Sequence, residues 1–305
     1  MAGPLRVERD VEVARWVQEA LHDLDGTVAS VVPPVFDAYA RILHPATLET
    51  PALLADGAVE TDAWGNVRYD ASAVTWAAAA ELIGDRGGER EPFTAWQARF
   101  GDDSIDLPDG RRVIGAHGLD IPLPLLATLT ELLLESQGDA EVLAAVWEGS
   151  GLDPRGSSVF MAFPEGTSWW VRRRETRRLQ AQHRAEQSAA VDAEVLAAMR
   201  AQHVLGLPGE QQGRGHVLLR AQLTTFADPS WVKVAGLGWR ADWPGDGRTP
   251  NALWPVEPQA APAWFVATDL DLDVTLVGGS GHLIGRVLGH PSLEAERVRS
   301  SDPLV

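Results

Sequence analysis

The chain has 305 residues, with 43 Asp and Glu, 26 Lys and Arg and no cysteine, for a formal net charge of −17. That length suits one large domain or two small ones, and 45% apolar with 23% charged residues describes a folded globular protein, not a disordered or fibrous one. The lack of cysteine excludes disulfides, thiolate metal sites and a cysteine nucleophile, and the acidic balance opposes binding to phosphate backbones.

Met1 to Asp10 alternates charge with small apolar residues and does not resemble a signal peptide. No run approaches the roughly 18 apolar residues of a membrane span, so the expectation is a cytoplasmic protein without membrane contact. Arg9 to Leu24 predicts an amphipathic helix, with Val13, Trp16, Val17, Ala20, Leu21 and Leu24 at three- and four-residue spacing before Gly26. Thr27 to Val32, rich in β-branched residues and closed by Pro33-Pro34, predicts a strand, and Phe36 to Leu43 its partner. Ala46 to Asp70 has no clear period and predicts a long surface loop. Ser72 to Ile83 predicts a helix stopped by Gly84, followed by a polar, glycine-punctuated stretch to Gly118.

Leu123 to Gln137, with Pro124 in its first turn and a leucine stripe, predicts a helix ending at Gly138. Val142 to Trp147 predicts a buried strand broken by Glu148-Gly149-Ser150-Gly151, and Val159 to Phe163 a further one. Ser168 to His203 lacks glycine and proline and predicts one long helix. Of that helix only Trp169 to Val171 and Val191 to Met199 look able to pack on a core. His216 to Leu223 predicts a strand, and the run around Lys233, the single lysine, one more short strand. Strands at Trp264 to Thr268 and Leu270 to Val277, a Gly278-Gly279 turn, a helix from His282 to Leu288 and a terminal helix from Ser292 to Arg299 complete the chain. Uneven alternation of strands and helices gives an α+β fold with a central mixed or antiparallel sheet and flanking helices. Residues 1–164 and 205–305 form a single core, and residues 165–204 an arginine-rich helical insertion or arm.

The chemistry-bearing residues cluster near the C-terminus. Asp271-Leu272-Asp273-Val274-Thr275 has the form of a phosphatase nucleophile motif, but too little chain follows it for that fold. Val274 to Gly285 imitates a dinucleotide-binding glycine loop, with its last glycine one residue late and no room for a second strand. As a strand, Asp269, Asp271 and Asp273 would put three carboxylates on one face, suited to binding a divalent cation or to acid-base work through a raised carboxyl pKa. His44, before Pro45, is a candidate general base, and Glu148 beside Trp147 a candidate carboxylate raised by desolvation. The eight histidines form no HxH or HxxxH pair, so neither a metal site nor a cofactor is expected.

The only concentrated positive charge is Arg172, Arg173, Arg174, Arg177, Arg178 and Arg184. With acidic residues dominating elsewhere, it points to pairing with the body, self-association or a protein partner rather than nucleic acid. Twelve tryptophans against two tyrosines supply large rings for core or interface, Trp147 among the candidate binding residues.

Tyr39 to Ala46, Trp147-Glu148-Gly149, the strand at His216, Asn251 to Pro255, Trp264 to Asp269 and Val277 to Ser280 together resemble an uncharacterised family of soluble bacterial proteins. The resemblance spans most of the chain outside the arginine-rich helix; it implies a shared core and no catalytic residues. The expected function is a non-enzymatic, acidic binding or regulatory protein of immunity-like character acting on a protein partner. The alternative is a metal-dependent or acid-base hydrolase using Asp269, Asp271, Asp273, Glu148 and His44 in one cleft.

Overall fold

The computed structural model describes residues 3–21, 25–62, 65–84, 104–116, 120–149, 152, 163, 167–207, 214–240, 248–257, 262–269 and 272–304. Asp271, and all but Phe163 of the strand expected at Val159 to Phe163, lie outside them. The fold is α+β, and every strand pair described is antiparallel.

Strands are numbered β1 to β13 along the chain. The large sheet has the order β1 (Arg6–Glu8), β9 (Arg214–Gln222), β7 (Glu141–Trp147), β10 (Ala252–Pro255), β11 (Trp264–Ala267), β12 (Val274–Gly279), β2 (Ala38–Leu43) and β13 (Ala295–Val298). A ninth strand, β8 (Leu205–Leu207), pairs with β9 off this path. The smaller sheet has the order β4 (Tyr69–Val74), β3 (Ala46–Pro51), β6 (Arg112–Ile114) and β5 (Ser104–Asp106).

The large sheet is covered on both faces, which is why β2, β10, β11 and β12 are buried throughout instead of alternating apolar with polar. Along each strand, successive side chains enter opposite cores. Ile42, Ala144, Val217, Val266 and Val277 face α3 (Leu123–Gln137), α5 (Ala193–Arg200) and α6 (Gly281–Gly289). Tyr39, Leu143, Leu218, Trp254 and Phe265 face Val17 of α1 (Arg15–Ala20), Val28, Val32 and Trp76 of α2 (Trp76–Ile83). In that second core Trp254 stacks on Phe265 with centroids 5.1 Å apart, and Trp16 meets both rings edge-on.

Several segments differ from their sequence expectation, each for a reason visible in their partners. Thr27 to Val32 is not a strand: Val28–Ser30 is a 3-10 turn whose Val28 and Ala29 N–H groups donate to Asp302 and Ser300 carbonyls at 3.0 and 2.9 Å. The loop expected from Ala46 to Asp70 is β3 followed by a folded tip, where Leu53 bridges Val59 and Thr61 bridges Val67 before β4 returns. The helix expected from Ser72 starts at Trp76, capped by Thr75 Oγ1, which accepts from the Ala78 N–H at 3.2 Å. The segment around Lys233 is a 3-10 turn, Pro229–Lys233, not a strand. At the N-terminus a 3-10 turn, Val11–Ala14, precedes α1, which ends at Ala20.

The terminal helix is also absent; Ala295–Val298 is instead strand β13, recruited by pairing with β2. Gly278 and Gly279 form no turn but sit inside β12. A Cβ at Gly278 would lie 2.9 Å from Val32 Cγ1 and collide with the Phe36 ring, so this glycine admits a close packing layer and binds no phosphate. Finally, the single helix expected from Ser168 to His203 is two: α4 (Trp169–Ala190) and α5. Val191 pairs with Leu237 in a bridge, and Asp192 caps α5 by accepting the Glu194 N–H at 2.7 Å. Val191, Val195, Ala198 and Met199 then enter the first core, as the sequence indicated for that end of the arm.

Candidate functional site

One rim of the large sheet gathers the starts of β9, β10 and β12 and the ends of β7, β11 and β2. Buried strand ends leave backbone groups that need partners, and here polar side chains supply them. Asn251 Oδ1 accepts the Trp147 N–H at 2.9 Å, while the Asn251 N–H donates to Ala145 O at 2.8 Å. The Thr268 N–H donates to Asn251 O at 2.8 Å and its hydroxyl to Val274 O at 2.7 Å; the His44 N–H donates to Asp273 O at 2.8 Å. The result is a hydrogen-bonded seam from β7 across to β2.

A cleft beside this seam is lined by Arg214, His216, Thr268 and Asp269 of the rim together with Ser30 and Leu207, the β8 residue paired with Arg214. Its volume is about 30 Å³, room for ordered water and far below the few hundred Å³ of a typical small-molecule pocket. Arg214 and Asp269 form an ion pair. His216 Nδ1 lies 2.8 Å from Arg214 O, an acceptor only, so Nδ1 carries the proton. Burial lowers the His216 pKa to about 4, against the opposing pull of the Arg214 carbonyl and the Asp269 charge, so the ring is neutral at pH 7. The two hydroxyls of the cleft donate to backbone carbonyls, Ser30 Oγ to Thr27 O at 2.7 Å and Thr268 Oγ1 to Val274 O, not to a base.

The carboxylates expected to act together have different surroundings. Asp269 follows the end of β11 and Asp273 precedes the start of β12, and the Leu272 N–H donates to the Asp269 carbonyl at 3.1 Å, so neither of these two aspartates stands within a strand. Asp269 is committed to Arg214, Asp273 is buried, and Asp271 lies outside the described residues. Glu148 lies over Gly215 of β9, where a Cβ would come within 2.7 Å of its carboxyl carbon, and the Trp147 ring folds over Gly149. His44 is enclosed, with Nε2 2.8 Å from Thr275 Oγ1, no partner for Nδ1 among the described residues, and a pKa lowered by burial to about 3. Among the described residues neither His44 nor Glu148 lines the cleft, and no group of three His, Asp or Glu is placed to share a metal ion.

Sequence reasoning missed Arg214 and Asn251, and also Asp120. This last carboxyl is raised in pKa by burial despite accepting the Thr249 N–H at 3.1 Å and facing Arg248.

The other concentration of functional side chains is α4. Ser168 caps it by accepting the Val171 N–H, and its second half is held down by buried Gln187 and by Glu186, 3.5 Å from Arg240. The first half stands in solvent. Trp169 is 56% exposed, Trp170 73% and Val171 50%; contrary to expectation, this end of the arm does not pack on the core. The two indoles meet edge-on with centroids 4.4 Å apart, and the Arg173 guanidinium lies 5.1 Å from the Trp169 ring centre. Arg178 pairs with Glu175 at 3.5 Å and Arg172 Nε donates to Thr167 O at 2.9 Å, whereas no carboxylate among the described residues pairs with Arg174 or Arg177. Cations in the first turn of a helix oppose its dipole, so the charge of Arg172 is unfavourable to α4 in that respect.

Compared with protein-family models, curated proteins and solved structures, the chain matches none. No helix among the described residues is long and apolar enough to cross a membrane.

Proposed function

We propose that this chain is a non-enzymatic binding or regulatory protein that engages a protein partner through the N-terminal half of α4, in a cytoplasmic setting. The observation that carries this is the exposure of Trp169 and Trp170 beside Arg172, Arg173, Arg174, Arg177 and Arg178 on a capped helix. Trp and Arg are the residues most enriched at binding hot spots, and solvated tryptophans contribute nothing to folding that would account for their presence. The immunity-like expectation placed recognition on the acidic surface; the exposed side chains favour the basic helix, and with it a partner surface that is acidic and partly apolar.

Less supports a hydrolase. The cleft beside Asp269 is only about 30 Å³, its carboxylate is paired with arginine and its hydroxyls face carbonyls.

The test is quantitative affinity capture from the native cells with the wild-type chain and a Trp169→Ala/Trp170→Ala variant. Both tryptophans are exposed, so the variant should melt like wild type. Specific partners should be lost with the two rings; recovery of the same partners by both chains overturns the proposal.

A further inference from the structure

Outside the basic helix, the exposed large apolar side chains of the described residues concentrate in one other place. Leu53, Leu54, Val59 and Val67 are exposed at the tip that joins β3 to β4, Leu53 by 64%. The remaining two, Val35 and Val234, stand elsewhere in the chain. Leu53 is the bridge partner of Val59, and Thr61 of Val67. Directly opposed residues share a face, as do residues two apart on one strand, so Leu53, Val59, Thr61 and Val67 project from the same side of the tip. The tip is acidic: residues 52–70 hold Asp56, Glu60, Asp62 and Asp70 against Arg68 alone.

Trp170, Arg174, Arg177 and Arg178 fall at helical spacings of four, seven and eight, and so line one stripe of α4. The two patches are complementary in kind: aromatic rings with arginines on the helix, aliphatic side chains with carboxylates on the tip.

We infer that the α4 stripe of one copy of this chain docks on the acidic β3–β4 tip of a second copy. This rests on the reading of α4 as the binding element and names its partner. Both patches are solvent-exposed within a single chain, so the contact requires another molecule, and the same chain supplies both halves. Rings settle on the aliphatic face of the tip while the guanidinium groups reach the surrounding carboxylates.

The experiment is sedimentation velocity over a concentration series at low and high salt. Wild type should self-associate, more weakly at about 0.5 M than at about 0.05 M NaCl because the charge pairs lie at a solvated rim. Trp169→Ala/Trp170→Ala should weaken association about thirtyfold, the effect of losing one hot spot.

Two charge reversals fix the pairing. Arg174→Glu/Arg177→Glu and Asp56→Arg/Asp70→Arg should each dissociate alone and recover when mixed, since the mixture restores opposite charges at both contacts. A wild type that stays monomeric at low salt and high concentration, or a mixture that fails to recover, overturns the inference. If wild type is monomeric yet Trp-dependent capture of another protein persists, the second-copy partner fails while the binding role of α4 stands. If the tryptophan variant alters neither, both fail.

Discussion

His44 and His216 are enclosed in the fold, so neither can take up a proton without bringing a charge into a low-dielectric interior. Their folded pKa values of about 3 and about 4 lie below the ordinary 6.5. As pH falls through 6.5 the unfolded chain binds protons that the folded chain refuses, so stability is full above that value and declines below it. The decline is about 1.4 kcal/mol per pH unit for each histidine until the folded values are reached. Urea midpoints between pH 7 and 4 should show this slope, and His44→Gln, which keeps a partner for Thr275, should remove close to half of it. An unchanged slope in a His44→Gln/His216→Gln variant would assign acid sensitivity to other groups. The same two residues show what a sequence conceals. As letters, a histidine before a proline and one in a strand can equally be a base or a core residue, and enclosure from both ends of the chain decides between them.

At the scale of elements, α4 and α5 are consecutive and similar in helix propensity, yet they belong to different environments. α5 buries Val195, Ala198 and Met199, whereas the first half of α4 buries nothing. Opening energies follow burial, so amides at 173–178 should exchange with deuterium well before those at 196–199. Equal protection in the two segments would mean that α4 is covered in solution. Helix α3 was legible because its leucines repeat at helical spacing between Pro122 and Gly138. β13 was not: Ala-Glu-Arg-Val has no strand period of its own and becomes a strand because β2 presents a ladder from more than 250 residues away. The rim was hidden for the same reason. Trp147 meets Asn251 across 104 residues and Arg214 meets Asp269 across 55. The exposed tryptophans could be read as apolar, but nothing in their neighbours distinguishes a docked helix end from a free one.

Across the whole molecule, the large sheet interleaves the two ends of the chain. β12 lies between β11 and β2, and the residues after it bond back to the beginning through Val28 to Asp302 and Arg41 to Glu296. Removing residues 274–305 therefore deletes an interior strand, not an appendage. The shortened chain should lose its cooperative thermal transition by circular dichroism; a truncated protein that still melts sharply would place the folding core elsewhere. The large sheet has a further consequence for behaviour at high concentration. Its long strands, β9 with nine residues and β7 with seven, lie inside, while the outermost strands described, β1 and β13, have three and four. So little open ladder leaves a neighbouring chain almost nothing to extend by backbone pairing. Molecules that meet along these margins can cohere through side chains and part again, and the short outer strands of the large sheet disfavour fibrous extension there.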